Sequence, residues 1–237
     1  MPPLPLVCIP FAGAGASFFH PWNSLAGDGL RVVAPQPTGR EWKLLEEPYR
    51  DATEAAAGLL PEVLDAIGQI GDGDRVALFG HSLGAVLAYE TAHLLAARRD
   101  IEVVRLFVSG SPGPWTGRSD RATGLDDDEF LERVREFAGY THEALANEEM
   151  RELILPVLRA DVEMHEAYVP STEEPLRAPI TAIRGRGDEL VTAEQADEWR
   201  KATDREFTRI EVDGGHMYLA EGAAPLLRLI EEHLGLG

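Results

Sequence analysis

Six short apolar runs, several of them β-branched, recur along the chain at 6–9, 31–34, 76–79, 103–109, 180–183 and 208–212. Runs of this length fit strands buried on both faces, and such strands need cover on both sides of a sheet. The cover lies between them, because 52–69, 85–97, 193–201 and 223–233 carry apolar residues at helical spacing. Strand and helix alternate, so the expected architecture is α/β, with a mostly parallel central sheet flanked by helices.

One stretch breaks the alternation. From 112 to 179 the periodicity is helical and no strand is evident. It is bounded by Gly- and Pro-rich segments, Ser109-Gly-Ser-Pro-Gly-Pro-Trp115 at the entry and Pro170 through Pro179 at the exit. The expected organisation is a core of 1–111 and 180–237 with a helical insertion at 112–179. Inside it one helix is expected from 125–131 onward, a second over 143–158 and a third over 159–168. The acids Asp126 to Glu129 read as a solvated helix start, where the helix dipole favours them, since they lack the alternating spacing of a calcium loop.

Charge narrows the partners. Against 22 basic residues stand 41 acidic ones, a formal net charge of −19, and such a field repels phosphate backbones. Only Lys43 and Lys201 are lysines, and no basic block suggests a membrane or nuclear address. Cys8 is the one cysteine, which rules out an intrachain disulfide, and no Cys/His cluster has zinc spacing. The opening MPPLPLVCIPF does not read as a signal peptide, and no apolar run approaches the roughly 20 residues of a membrane span. A cytoplasmic protein acting without nucleic acid or membrane is expected.

Chemistry enters at Gly80-His-Ser-Leu-Gly84, a G-x-S-x-G pattern directly between the apolar run 76–79 and a helical stretch. On such a turn the serine is held in a strained conformation that projects its Oγ, and the flanking glycines let strand and helix approach. Ser82 is therefore the candidate nucleophile. A serine hydroxyl is weak at neutral pH and needs a base oriented by a third group, both on loops that follow later strands. Of the later histidines, His93 sits in the following helix, His142 and His165 in the insertion, and His233 in the last helix. His216, in Asp213-Gly-Gly-His-Met after the run 208–212, is left as the base. The loop after 180–183 offers Asp188 as the acid, with Glu189, Asp161 and Asp213 as the alternatives. Developing oxyanion charge needs preorganised N–H donors. Leu83, after the nucleophile, supplies one, and Ala12 or Gly13 in the Gly-rich loop after the first strand supplies the other. That loop lacks G-x-G-x-x-G, so it does not read as a dinucleotide site.

Over nearly its whole length the chain resembles the stand-alone, type II thioesterases of polyketide and nonribosomal peptide biosynthesis, a branch of the α/β-hydrolase fold. The resemblance is carried by Cys8-Ile-Pro-Phe-Ala-Gly13, Pro35-Gln-Pro-Thr-Gly-Arg-Glu41, Phe79-Gly-His-Ser-Leu-Gly-Ala85, Leu158-Arg-Ala-Asp161, Pro175-Leu-Arg-Ala-Pro-Ile180 and Gly214-Gly-His-Met217. Where the family often has Pro-Gly-Arg, this chain has Pro37-Thr-Gly-Arg40. The resemblance implies that the insertion is a helical lid and that nucleophile, acid, base and first oxyanion donor fall on Ser82, Asp188, His216 and Ala12. It implies hydrolysis of acyl groups from the phosphopantetheine thiol of acyl or peptidyl carrier proteins, clearing stalled or mis-primed synthases.

No metal or redox cofactor is needed, since the phosphopantetheine belongs to the substrate. Phe11, Gly13 and Met217 flank the donors and base and are expected to touch the acyl substrate. In the insertion Phe130, Val134, Phe137, Leu153 and Leu158 offer an apolar surface, and Arg118, Arg121, Arg133 and Arg135 are candidates to meet an acidic carrier. Transient docking is expected. The alternatives are a carboxylesterase or lipase with the same triad, a non-catalytic binding protein of this fold, and acyl transfer in place of hydrolysis. His81 and Cys8 read as packing residues.

Overall fold

Along β1 (Leu4–Ile9) and β3 (Arg75–His81) successive side chains enter two different apolar layers, as the period-two geometry of a strand requires. Val7, Ile9, Val76 and Leu78 join one layer with α1 (Ala52–Ile70) and α2 (Leu83–Ala96). Leu6, Cys8, Ala77 and Phe79 join the other, with α6 (Ala223–His233) and the 3₁₀ segment Ala16–Ser24. The computed structural model describes residues 2–70, 74–117, 121–138 and 147–237. Within them β2 (Leu30–Val33), β4 (Glu102–Ser109), β5 (Ile180–Gly185) and β6 (Phe207–Val212) complete a six-stranded sheet of order β2-β1-β3-β4-β5-β6. Every pairing in it is parallel, as the both-face burial predicts. No helix among the described residues is long and apolar enough to cross a membrane.

α2 is apolar nearly all round and is buried from Leu83 to Ala92, so it lies inside the molecule over the centre of the sheet. The helix expected at 193–201 is instead a short α5 (Ala193–Asp197) that tightens into a 3₁₀ turn, Glu198–Ala202. Thr192 and Gln195 cap its start reciprocally.

Between β4 and β5 stand α3 (Asp127–Ala138) and α4 (Glu148–Ala167). The Asp126 carboxylate accepts from the amides of Asp128 and Glu129 at 3.1 and 3.0 Å, so the acidic run is a helix cap. The second and third helices expected from sequence are one. Asn147 caps it, and a continuous buried stripe of Leu155, Leu158 and Val162 binds it to Phe130 and Ala122. Pro156 forfeits one backbone hydrogen bond, yet the helix runs on because that stripe spans the proline. The expected start of the second helix at Glu143 lies outside the described residues. Phe130 and Leu158, expected to face an acyl chain, are buried in this cluster; Val134 packs against it, and Leu153 is exposed. The side chain of Phe137 lies outside the described residues.

Polar ties hold this region together and join it to the core. Glu166 accepts from the amides of Ala122 and Thr123 at 2.6 and 3.0 Å, and Glu90 of α2 accepts from Tyr168 Oη and the Ser171 amide at 2.6 and 3.1 Å.

α2 lies tightly against the end of β1. A Cβ on Gly84 would run into the carbonyl oxygen of Ile9, and one on Gly80 into the carbonyl of Gly84, backbone in both cases. Gly84→Ala is accordingly expected to destabilise the protein by about 3 kcal/mol, read as a lowered urea midpoint. Gly68→Ala, where nothing lies within 4 Å, should not destabilise and serves as control.

Candidate active site

Ser82 sits at the joint of β3 and α2 with φ 52° and ψ −118°, a region L-residues avoid. Its amide donates to the Ser109 carbonyl at 2.8 Å, so the end of β4 holds the strained residue from the side. Ser82 Oγ has no hydrogen-bond partner among the described residues and is left for a substrate or base.

The acid and base loops are knitted together by backbone. The Arg186 amide donates to Val212 and that of Gly187 to Gly214, at 2.8 and 2.9 Å. Gly214 takes a φ of 116°, which turns the chain back over the sheet. His216 Nδ1 then lies 2.9 Å from Asp188 Oδ2. Asp188 Oδ1 accepts from the amides of Leu190 and Val191, at 2.9 and 3.1 Å. Burial pushes the Asp188 carboxyl up, but its contact with His216 and the two amides outweigh burial and hold it below the usual aspartate value. A carboxylate can only accept, so in the neutral ring Nδ1 carries the proton and Nε2 is left with its lone pair. The alternative acids are placed elsewhere. Glu189 is exposed, Asp213 is exposed and pairs with Arg186, and Asp161 is buried against Arg40.

Sequence reasoning missed a brace behind the base. The buried His81 Nδ1 meets Ser109 Oγ at 2.7 Å, and Ser109 Oγ meets Tyr218 Oη at 2.6 Å. The His81 ring lies 4.8 Å from that of His216 and edge-on to Phe11 at 5.9 Å. Desolvation, then the neighbouring His216 and His165, push its pKa well below the usual histidine value, which keeps it neutral. Gly110, at φ 53°, makes room, since a Cβ there would strike the His81 ring. The available signal was Tyr218 two positions beyond His216, but its partner lies on another strand.

The loop after β1 turns at Phe11–Ala14, closed by the Ala14 amide on the Phe11 carbonyl at 3.0 Å with Gly13 at φ 78°. The Gly13 amide is engaged, donating to Asp161 Oδ2 at 2.8 Å. The amides of Ala12 and Leu83 have no partner among the described residues. Of the two alternatives, Ala12 is therefore the one with a free donor. Phe11 is buried against Phe18, and Met217 is half-buried in the layer beneath α6.

Phe11, Leu83, Arg40, Asp161 and Met164 border a void of only about 10 Å³, room for about one water. A larger cavity of about 290 Å³ opens elsewhere, between β2 and α1, and includes none of Ser82, Asp188 or His216.

Residues 4–234 match a family model described as a thioesterase domain. The chain belongs to the thioesterase family. This thioesterase is 31% identical over 234 residues to the gramicidin S biosynthesis protein GrsT of Aneurinibacillus migulanus, covering 98% of this chain and 90% of that one. Among solved structures it is similar to RedJ, the thioesterase of the prodiginine pathway in Streptomyces coelicolor (35% identity, TM-score 0.83, covering 99% and 85% of the two chains). It is also similar to YbtT, a type II thioesterase of the yersiniabactin pathway (30% identity, TM-score 0.85, covering 97% and 92%). The thioesterase is thus a serine hydrolase of the type II group, with the α/β-hydrolase fold.

Asp188→Asn should lower turnover by roughly 10³–10⁴-fold, because an amide does not enforce the His216 tautomer. The sign of the pH effect follows from the lowered carboxyl. Asp188 contributes stability that is full above the unfolded aspartate pKa of about 3.9 and is lost as pH falls through the lower folded value. Denaturant melts of wild type and Asp188→Asn should differ at neutral pH and converge in acid; a gap unchanged at all pH values would contradict the linkage.

Proposed function

We propose that this thioesterase hydrolyses acyl groups from the phosphopantetheine thiol of acyl or peptidyl carrier proteins, editing polyketide or nonribosomal peptide synthases in the cytoplasm. The observation that carries the reading is the 2.9 Å contact of His216 Nδ1 with the buried Asp188, because it leaves Nε2 available as the base for Ser82.

In this reading Ser82 Oγ attacks the thioester carbonyl as His216 Nε2 takes its proton. Asp188 steadies the imidazolium. The carbonyl oxygen becomes an oxyanion held by the amides of Ala12 and Leu83. Collapse expels the pantetheine thiol. A thiol's pKa is near 8.5, so the proton returned by His216 matters less than it would for an alkoxide or amine. Water, deprotonated by His216, then attacks the acyl-Ser82 ester and releases the acid. No metal or redox cofactor takes part. Phe11, Gly13 and Met217 line the approach.

The carrier docks transiently. Arg121 is exposed, whereas Arg133 and Arg135 pair with Glu136 and Glu132 of their own helix, and Arg118 lies outside the described residues. Since about 10 Å³ beside Leu83 cannot hold an acyl chain, the insertion acts as the lid, yielding at α3 and the first half of α4.

Ser82→Ala should fold normally and lose nearly all hydrolysis of acyl-pantetheine thioesters. Intact-mass labelling by a fluorophosphonate checks it, and labelling of the alanine variant at the wild-type level would remove Ser82 as nucleophile. Matched oxygen esters run beside the thioesters separate this function from a carboxylesterase. Hydrogen exchange reports the lid: α3 and 147–157 should exchange faster than the central strands and gain protection with a nonhydrolysable acyl-pantetheine. Slow exchange unaffected by ligand would make the insertion a rigid structural element.

A further inference from the structure

We infer that Asp161 is a positioning residue for the oxyanion hole and that Arg40 is the counter-charge that lets a carboxylate stand there. This rests on the reading of Ala12 and Leu83 as the oxyanion donors.

Asp161 comes from α4, in the insertion, and Arg40 from the loop after β2. They meet in a two-pronged pair, Nη1 to Oδ2 at 2.6 Å and Nη2 to Oδ1 at 2.8 Å. Both also grip the loop after β1. Asp161 Oδ2 accepts from the Gly13 amide at 2.8 Å, and Arg40 Nη1 donates to the Ala14 carbonyl at 3.1 Å. The turn is held again through Gln36, whose Oε1 accepts from the Ala16 amide at 3.0 Å while its Nε2 donates to the Arg40 carbonyl at 3.2 Å. One helix of the insertion thus sets the peptide that follows Ala12. By engaging Gly13 it leaves the Ala12 amide as the donor that can serve the oxyanion.

The carboxylate is 2% exposed, so water does not screen it. An unpaired negative charge beside a developing oxyanion would oppose the charge the hole exists to stabilise. The bidentate guanidinium cancels it while leaving Oδ2 free to accept a second hydrogen bond. Arg40 itself is fixed by its Nε donating to the Thr38 carbonyl at 3.2 Å, which gives the loop Pro37-Thr-Gly-Arg40 a function in the hole.

A charge role and a packing role predict opposite patterns. Arg40→Met should lower kcat about 10- to 100-fold with KM changed less than about threefold, since the loss falls on the transition state. Adding Asp161→Asn should restore most of that loss, because the amide oxygen still accepts from Gly13 and no charge is left behind. A double variant no faster than Arg40→Met alone would overturn the counter-charge role. Infrared spectra of the acyl-enzyme, with an isotope-labelled carbonyl and a slowly released acyl group, read the hole directly. The wild-type carbonyl should absorb below a serine ester in water, and Asp161→Ala should move it back up. A lowered wild-type band left unmoved by Asp161→Ala overturns the positioning role alone; a wild-type band that is not lowered refutes the oxyanion reading beneath it. If Asp161→Ala does not fold, Asp161→Ser provides the same band comparison.

Discussion

A serine at φ 52° and ψ −118° costs about 1–3 kcal/mol and persists only where its surroundings over-determine it. Here the surroundings are backbone. β3 enters the turn between β1 and β4, α2 leaves it at a distance only a glycine permits, and the Ser109 carbonyl holds the Ser82 amide. Every other feature of the candidate site is arranged around that point. The turn opens the start of α2, whose first amide, at Leu83, has no partner among the described residues, and Ser109 extends the same support to His81 and Tyr218.

The insertion is attached in a different manner. Its own apolar cluster meets the core at Ala12, Met164 and Leu176 are buried in the layer of α1 and α2, and Glu90, Asp161 and Glu166 are buried carboxylates that accept hydrogen bonds across the boundary or within its entry segment. Buried acceptors of this kind specify one docked geometry, because any displacement leaves a charge unsatisfied. The second half of α4 is therefore tied to the core, through Asp161 to the loop after β1 and through the buried Met164.

Much of this was legible in the sequence, for a physical reason. Burial on both faces writes the apolar runs of the inner strands, the edge strands β2 and β6 were visible by their β-branched residues although they are only partly buried, and the regions where Ser82, Asp188 and His216 fall follow from the rule that loops after parallel strands gather at one edge. Legibility failed where only tertiary packing decides. The break expected inside α4 rested on local pattern, whereas the stripe of Leu155, Leu158 and Val162 carries the helix through Pro156.

What the sequence by itself determined was the parallel sheet, the helical region between β4 and β5 and the order in which Ser82, Asp188 and His216 follow their strands, because these depend on local periodicity and on chain order. Which amide of the loop after β1 is free, what Asp161 does, and why Tyr218 stands two residues beyond His216 were decided by the tertiary structure. Arg40 and Asp161 are 121 positions apart and Ser109 and Tyr218 are 109, and no local pattern encodes a hydrogen bond between groups that meet only after the sheet has brought their loops together.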